Sequence, residues 1–275
     1  MFPPEDAYGY AKCLSFLSEA VSRVRPARVL DVGCGTGEKL TWPLAKAHPA
    51  IRFLGADDDA RSIEHARRTC LAPNLRFIRL AQLQIDERFD LIVASEVLEH
   101  VAAPVAFLRD LRSRLAPAGC IVVTVPNGYG PSETASLLET LLALTGFLGI
   151  ARAAKRRLRN RSGGLPPQKD TLAVSPHINF FSWREIQRVI AASGLRAIGY
   201  RARTLFCGFG FDLLIRGASA ARWNADMADR MPAIFVSGWM FVLEPVDAGP
   251  AVYEHRRGAL SRMRRWLNEK RWRLR

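Results

Sequence analysis

Three side chains with acid–base and metal-binding chemistry stand close together in the middle of the chain. Glu96, Glu99 and His100 occupy positions i, i+3 and i+4, so they share one face if the segment is helical. Two carboxylates and an imidazole on one face could hold a divalent cation such as Mg²⁺ or Mn²⁺. The histidine could instead act directly as a general base. Either chemistry would suit the removal of a proton from a hydroxyl group.

A glycine-rich loop precedes these residues in the chain. Residues 29–32 form an apolar run typical of a buried strand, and Gly33, Gly35 and Gly37 follow at every second position. Glycines at this density let the backbone turn sharply and approach a ligand without Cβ clashes. Because a helical pattern begins near Glu38, we expect the loop to hold a ligand between a strand's carboxyl end and a helix's amino end.

The residues around this loop indicate which ligand it holds. A dinucleotide loop would carry its third glycine at position 38, where this chain has Glu38. Asp31 stands two residues before the first glycine. A carboxylate there disfavours a pyrophosphate and favours the cationic end of a ligand. The loop therefore predicts a ligand with an amino acid moiety.

The elements that must position these residues follow an alternating order. Apolar strand-like runs span residues 29–32, 51–57, 75–80, 89–94 and 120–125, and helical patterns separate them. A helix is predicted to begin near Glu96, pause at Pro104 and continue to residue 115. Residues 195–203 and 209–216 indicate a final antiparallel strand pair. The fold class is therefore α/β, with a doubly wound, mostly parallel, Rossmann-like seven-stranded sheet.

Composition shifts suggest the domain organisation. Residues 1–217 are predicted to form one domain and residues 218–275 a basic C-terminal extension. Within the domain, residues 127–180 indicate an insertion over the carboxyl ends of the strands, where an apolar helix leads into a basic cluster. Ser182 and Glu185 form a capping-box pattern for the helix that follows the insertion.

The charge balance is strongly basic. The 275 residues carry a formal net charge of +14, concentrated between residues 152 and 161 and between residues 256 and 275. Such clusters suit an anionic membrane surface or nucleic acid, although solvated charge on an arginine-rich protein explains each cluster equally well. The end of the chain also places Leu260, Met263, Leu267 and Leu274 on one helical stripe. Most helices of this kind pack on their own domain, and some lie on a membrane.

Cysteine usage and hydropathy bear on the compartment. The five cysteines are scattered and odd in number, which favours a reducing environment. No signal-peptide pattern begins the chain, and the longest apolar run, residues 141–151, is too short to span a bilayer. We predict a cytoplasmic protein, with a peripheral position on the inner face of the membrane as a further hypothesis.

Three motifs together resemble those of one family. Residues 29–37, Val-Leu-Asp-Val-Gly-Cys-Gly-Thr-Gly, are similar to the first motif of class I S-adenosylmethionine-dependent methyltransferases. Residues 89–101 and 115–127 are similar to the later motifs of that family, in the same order and spacing. The resemblance covers roughly residues 24–216, and three ordered motifs are far more specific than one glycine loop.

The resemblance implies S-adenosylmethionine as the cofactor. Asp31 and the loop backbone would hold its methionine part, and Asp57, at the end of the second predicted strand, would accept both ribose hydroxyls. The cofactor-binding set implied in this way is Asp31, Gly33, Cys34, Gly35, Gly37, Asp57, Asp58, Gln82 and Ser95. Asp58 departs from the family, which usually has an apolar residue there, and Gln82 replaces a common acidic residue. Asp59 is interpreted as a helix cap.

The Glu-x-x-Glu-His pattern resembles ubiquinone-biosynthesis O-methyltransferases and small-RNA 2′-O-methyltransferases. In those groups it is associated with a metal that binds the acceptor hydroxyl, and the RNA enzymes add a downstream histidine, for which His177 is the counterpart. The implied metal set is Glu96, Glu99, His100 and His177, and the implied catalytic set is Glu96, His100 and His177. In metal-free relatives the same pattern begins a helix, with Glu96 contacting cofactor or substrate. Glu99 and His100 would then satisfy local hydrogen bonds, and His100 or His177 as a direct general base is the competing catalytic interpretation.

We therefore expect an S-adenosylmethionine-dependent methyltransferase that O-methylates a hydroxyl of a small, lipid-associated or glycan acceptor. An anionic membrane surface is an expected partner through residues 141–161 and 256–275. The first alternative is an RNA methyltransferase of the 2′-O type, although the basic residues lie beside leucines and not among exposed aromatics. A non-catalytic adenosylmethionine-binding protein is the second alternative.

Overall fold

The computed structural model describes residues 9–160, 176–208, 215, 217–246, 253, 255 and 257–273. The strands are β1 (Arg28–Val32), β2 (Arg52–Asp57), β3 (Leu75–Arg79), β4 (Phe89–Ser95), β5 (Leu115–Pro126), β6 (Leu195–Ala202) and β7 (Gly238–Pro245). The helices are α1 (Tyr10–Val24), α2 (Thr41–Ala47), α3 (Ala60–Thr69), α4 (Pro104–Ser113), α5 (Pro131–Leu144), α6 (Leu148–Asn160), α7 (Trp183–Ala192), α8 (Gly217–Arg230) and α9 (Ala259–Arg273).

The strands form one seven-stranded sheet in the order β3-β2-β1-β4-β5-β7-β6. Strands β1 to β5 pair in parallel, whereas β7 runs antiparallel to both of its neighbours. This arrangement confirms the predicted doubly wound α/β fold. The carboxyl ends of the parallel strands meet at one edge of the sheet, which is where ligands bind in such folds.

Consecutive strand residues alternate between two cores, one on each face of the sheet. Leu30 and Ile92 belong to the core that α4 and α7 cover, while Val29 and Leu91 belong to the core under α1, α2 and α3. Burial of both faces explains why these strands are continuous apolar runs.

The end of the sheet differs from the prediction. The strand expected at residues 209–216 lies outside the described residues except for residue 215. The strand that pairs with β6 is β7, which inserts between β5 and β6. Because Trp239 and Phe241 are fully buried in β7, the sheet continues into the segment predicted as an extension, and the boundary expected after residue 217 is wrong.

The segment after β4 is also not the predicted helix. Residues 98–100 form a single 3-10 turn, and α4 begins only at Pro104, a favourable first helical position for proline. Glu96 has a φ of 55°, in the left-handed region that residues other than glycine seldom adopt. The chain therefore turns sharply at Glu96, and no shared helical face carries the acidic residues.

The predicted insertion begins with α5 and α6, and α9 packs against α5. The expected capping box at the start of α7 is confirmed: Ser182 accepts from the Glu185 amide, and the Glu185 carboxylate accepts from the Ser182 amide. In the described part of the chain, none of the helices combines the length and apolar character needed to traverse a bilayer.

Candidate active site

The loop after β1 depends on its glycines for its conformation. Gly33, Gly35 and Gly37 have φ values of 74°, 56° and 72°. A Cβ on Gly33 would lie 2.5 Å from Val97, and one on Gly37 would lie 2.5 Å from the ring of Phe77. Any other residue at these two positions would be strained and would clash, so the loop requires glycine to reach this shape.

Asp57 is held rigidly at the carboxyl end of β2. One carboxylate oxygen accepts from the Gly35 amide at 2.9 Å, and the other accepts from the Asp59 amide at 2.8 Å. Each oxygen keeps a second acceptor position, so the group is preorganised for further donors. Asp58, beside it, is exposed, and Asp59 caps α3 by accepting from the Ser62 amide, as expected.

Asp31, near the end of β1, is a buried carboxylate with a raised pKa. It accepts a 2.6 Å hydrogen bond from the Thr41 hydroxyl. Burial, with a contribution from Asp57, raises the pKa of Asp31 to about 7 although the Thr41 bond opposes this. A bound cation would favour the ionised form, so the site suits an ammonium group.

The other predicted cofactor residues have mixed contacts. Gln82 is exposed, and its side-chain oxygen accepts from the Arg79 amide in the turn after β3. The Ser95 hydroxyl bonds the Thr124 hydroxyl at 2.8 Å. Cys34 is half-buried in the glycine loop, and burial raises the pKa of its thiol well above the usual value. All three lie at the edge of the sheet where the parallel strands end. The hydrogen bond of Gln82 also stabilises the turn after β3.

Glu96 does not join the other predicted metal ligands. One of its oxygens accepts from the Thr124 hydroxyl at 2.9 Å, and the other forms a 2.7 Å ion pair with Arg203. Arg203 follows β6 and is buried, with its guanidinium 5.1 Å from the centre of the Tyr10 ring. The ion pair satisfies the Glu96 carboxylate. Sequence reasoning missed Arg203, because only the folding of β6 beside the strand-end edge brings it there.

The remaining three residues of the predicted metal set come together. Ligand atoms of Glu99, His100 and His177 all lie within 4.8 Å of one another. The reason is a tight connection between two distant segments. The amides of Ile178 and Asn179 both donate to the Glu99 carbonyl. The Asn179 side chain donates to the carbonyls of Leu98 and Val101, at the start and just after the end of the 3-10 turn. These bonds bring His177 beside His100, with the ring centres 4.9 Å apart.

Glu99 is the most unusual group of the cluster. Its side chain is 1% exposed, and neither carboxylate oxygen has a hydrogen-bond partner among the described residues. Burial, reinforced by the charge of Glu96, raises the pKa of Glu99. A buried carboxylate without donors is costly, and such a group is normally compensated by a cation.

The two histidines are oriented by opposite kinds of partner. His100 donates its Nδ1 hydrogen to the Pro176 carbonyl at 3.2 Å, which leaves Nε2 as the acceptor of the neutral ring. Burial and the neighbouring His177 lower the pKa of His100 to about 4. His177 donates from Nδ1 to Glu133 at 2.6 Å. Although burial alone would lower the pKa of His177, Glu133 raises it to about 9.

Glu133 completes the surroundings of the cluster. It is buried in the first turn of α5 and also lies 3.3 Å from the Arg264 guanidinium of α9. Sequence reasoning missed both residues. Glu133 follows Pro131 at a helix start and would be interpreted there as a charge that suits the helix dipole.

This cluster fits a divalent cation better than direct base catalysis. Glu99 and the two imidazoles each offer one ligand atom within 4.8 Å of the others, and each ring is oriented by a hydrogen bond at its Nδ1, an outer contact of the kind that metal-bound histidines usually make. Near pH 7, His177 retains its proton because its pKa is raised, and His100 is a weak base because its pKa is lowered. Neither imidazole is therefore suited to accept a proton as a general base. A cation would replace the proton of His177 and compensate Glu99.

Comparison with known proteins identifies the family. A family model described as a methyltransferase domain matches residues 5–199, well over half of the 275 residues. The chain belongs to this methyltransferase family. The methyltransferase is 33% identical over 123 residues to a ubiquinone biosynthesis O-methyltransferase of Rhodopseudomonas palustris, which covers 42% of this chain and 47% of that protein.

Two further comparisons concern a longer sequence match and the fold. An uncharacterised protein of Synechococcus is 27% identical over 241 residues, covering 74% of the methyltransferase and 58% of that protein. The chain thus spans about half the length of the curated relatives it matches. PKMT2 from Rickettsia typhi aligns with a TM-score of 0.54 at 16% identity, covering 93% of this chain and 57% of that one. At such low identity the likeness concerns the fold.

We expect the methyltransferase to bind its cofactor more weakly as the pH falls below about 7. Burial raises the pKa of Asp31 to about 7 in the free protein, and a bound ammonium group would lower it. Binding then releases a proton, so the Kd of S-adenosylhomocysteine should rise up to about tenfold per pH unit on acidification. Calorimetric titration would measure this slope. Asp31→Asn should flatten it, and an unchanged slope in that variant would exclude Asp31 as the cause.

Proposed function

We propose that this protein is an S-adenosylmethionine-dependent O-methyltransferase that acts on a hydroxyl of a small, lipid-associated or glycan acceptor. The observation that carries the proposal is the cluster of Glu99, His100 and His177 at the strand-end edge, because it suits the binding and deprotonation of a hydroxyl. The partial likeness to ubiquinone biosynthesis O-methyltransferases supports the same reaction class.

The donor side of the proposed site is built from β1, β2 and the loop between β1 and α2. Asp31 would face the cationic amino group, the glycine loop would lie against the methionine part, and Asp57 would accept from the ribose hydroxyls. Bound S-adenosylmethionine supplies an electrophilic methyl group for in-line displacement. The chain mainly has to hold donor and acceptor in line and exclude competing water.

The acceptor side of the proposed site is the histidine cluster. Mg²⁺ or Mn²⁺ would be held by Glu99, His100 and His177, and when bound it would lower the pKa of the acceptor hydroxyl. Hydrogen bonds at Nδ1, to the Pro176 carbonyl and to Glu133, orient the two imidazoles within the cluster. Beside the cluster, Glu96 is held in an ion pair with Arg203.

Exposed apolar side chains at the same edge favour an acceptor with an apolar part. The Asn127 side chain, just after β5, donates to the carbonyls of Ile234 and Val236, so it ties the loop before β7 to this edge. Ile234, Phe235 and Tyr129 all expose large apolar surface there. Their position suits contact with a prenyl, acyl or aryl portion of the acceptor.

We expect treatment with a chelator to reduce turnover by about a hundredfold or more, and Mn²⁺ or Mg²⁺ to restore it. The acceptor is supplied as a solubilised cell extract, and transfer of a labelled methyl group is measured. The melting temperature of the treated protein should also rise on adding Mn²⁺, which tests binding independently of activity. Undiminished turnover with no shift in melting temperature would contradict the metal and leave a metal-free methyltransferase.

A further inference from the structure

Helix α9 presents three large apolar side chains to solvent. Its buried residues are polar: Ser261 and Arg264 pack inward, and Arg264 donates to the Gly128 and Glu133 carbonyls. Leu260, Met263 and Trp266 are 48%, 49% and 52% exposed. An amphipathic helix that merely covers its own domain would turn these residues inward. The reversed orientation leaves an apolar surface available to a partner.

A basic cavity opens beside this exposed surface. It has a volume of about 530 Å³ and is lined by Arg257, Arg262, Arg265, Trp266 and Glu269. Arg265 pairs with Glu269 at 2.7 Å, whereas no described carboxylate pairs with Arg257 or Arg262. Arg257 donates instead to neutral groups, the Ile178 carbonyl and the Asn179 side chain. Two uncompensated guanidinium groups in one cavity suit a phosphate group.

The neighbouring helices have a similar surface composition. On α5, which packs on α9, in the turn that follows it and at the start of α6, the exposed large apolar side chains are Leu138, Leu141, Phe147 and Ile150. Arg152 and Arg157 follow on α6, and both are exposed. Three of the four apolar side chains are aliphatic; such side chains do not stack on bases but do enter the acyl boundary of a membrane, so this composition favours lipid over RNA.

We propose that α9 and its arginine cavity form a docking site for an anionic phospholipid bilayer. A headgroup phosphate occupies the cavity lined by Arg257, Arg262 and Arg265, and Leu260, Met263 and Trp266 enter the interface. Arg264 joins α9 to Glu133, the partner of His177, so docking places the histidine cluster next to the membrane. The histidine cluster would then receive its acceptor from the bilayer. Only this consequence rests on the proposed function.

Vesicle co-sedimentation of the full chain, without cofactor or acceptor, tests the docking site. Wild-type protein should sediment with phosphatidylcholine vesicles containing about one third phosphatidylglycerol at least tenfold more than with pure phosphatidylcholine, and salt should weaken this binding. Because no methyl transfer is measured, loss of catalysis leaves the result unaffected. Equal sedimentation with both vesicles would overturn the proposal.

Two paired variants separate the headgroup and interfacial contributions. Arg262→Gln with Arg265→Gln, and separately Met263→Ser with Trp266→Ser, should each lower partitioning by about tenfold. The matched controls are Arg52→Gln with Arg76→Gln, and Ile85→Ser, at exposed positions elsewhere. Test variants that partition like their controls would overturn the proposal. Test variants that bind vesicles normally but lose binding to a mixed RNA pool would assign the surface to RNA.

Discussion

Replacing Glu99 by glutamine is expected to lower kcat by about a thousandfold while the protein remains folded. The substitution keeps the side chain's shape but removes the charge that a cation needs in this buried cluster. Labelled-methyl transfer to a solubilised cell extract, followed with and without added Mn²⁺, would measure the loss. Glu64→Gln, at an exposed position on α3, is the matched control and should retain its activity.

The same variant should be more stable than the wild type in the absence of metal. The folded-state pKa of Glu99 is raised, so at neutral pH its ionisation opposes folding, and glutamine removes that opposition. We expect the melting temperature at neutral pH to rise by about 2–4 °C. Added Mn²⁺ should raise the melting temperature of the wild type and leave that of the variant unchanged. A variant that melts lower and still responds to Mn²⁺ would contradict this role.

Replacing Asp57 by alanine should weaken binding of S-adenosylhomocysteine by two to three orders of magnitude, about 3–4 kcal/mol. Two losses combine in this variant. The ribose hydroxyls would lose their charged acceptor, and the Gly35 and Asp59 amides would lose the carboxylate that now holds them. Calorimetric titration at a pH above 7.5, where Asp31 is ionised, would measure the loss of affinity due to Asp57 separately from the protonation of Asp31.

The control for Asp57 is Asp86→Asn, a substitution at an exposed carboxylate in the loop after β3. It changes the net charge in the same direction but lies outside the predicted cofactor set, so its Kd should stay within about threefold of the wild type. If Asp57→Ala binds as tightly as this control, the ribose contact assigned to Asp57 is wrong, even if the glycine loop remains the binding element.

Much of the donor side could be predicted from the chain because it is local. Asp31, the three glycines and Asp57 sit at or directly after strand ends, and parallel strands bring such positions to one edge. The conformational demands on the loop are also local, since Gly33 and Gly37 need positive φ at sites where a Cβ would clash. The alternating apolar runs predicted the parallel strands for the same reason.

The acceptor side depended on contacts between residues far apart in the chain. Glu96 was expected among the metal ligands. The chain turns sharply at Glu96, which has a positive φ, and its carboxylate forms an ion pair with Arg203. His177 reaches His100 only because residues 178 and 179 bond the Glu99 carbonyl. Side-chain spacing within one segment carries no information about such pairings.

By itself, the sequence determined the α/β class, the glycine loop and the carboxylates at the strand ends, because strand periodicity and glycine spacing act over a few residues. Only the tertiary structure decided that β7 lies inside the sheet, that three of the four expected ligands converge, and that α9 leaves its apolar side exposed. Each of these depends on which distant segment satisfies a buried charge or a strand edge. Burial and electrostatics settle that choice across the whole molecule.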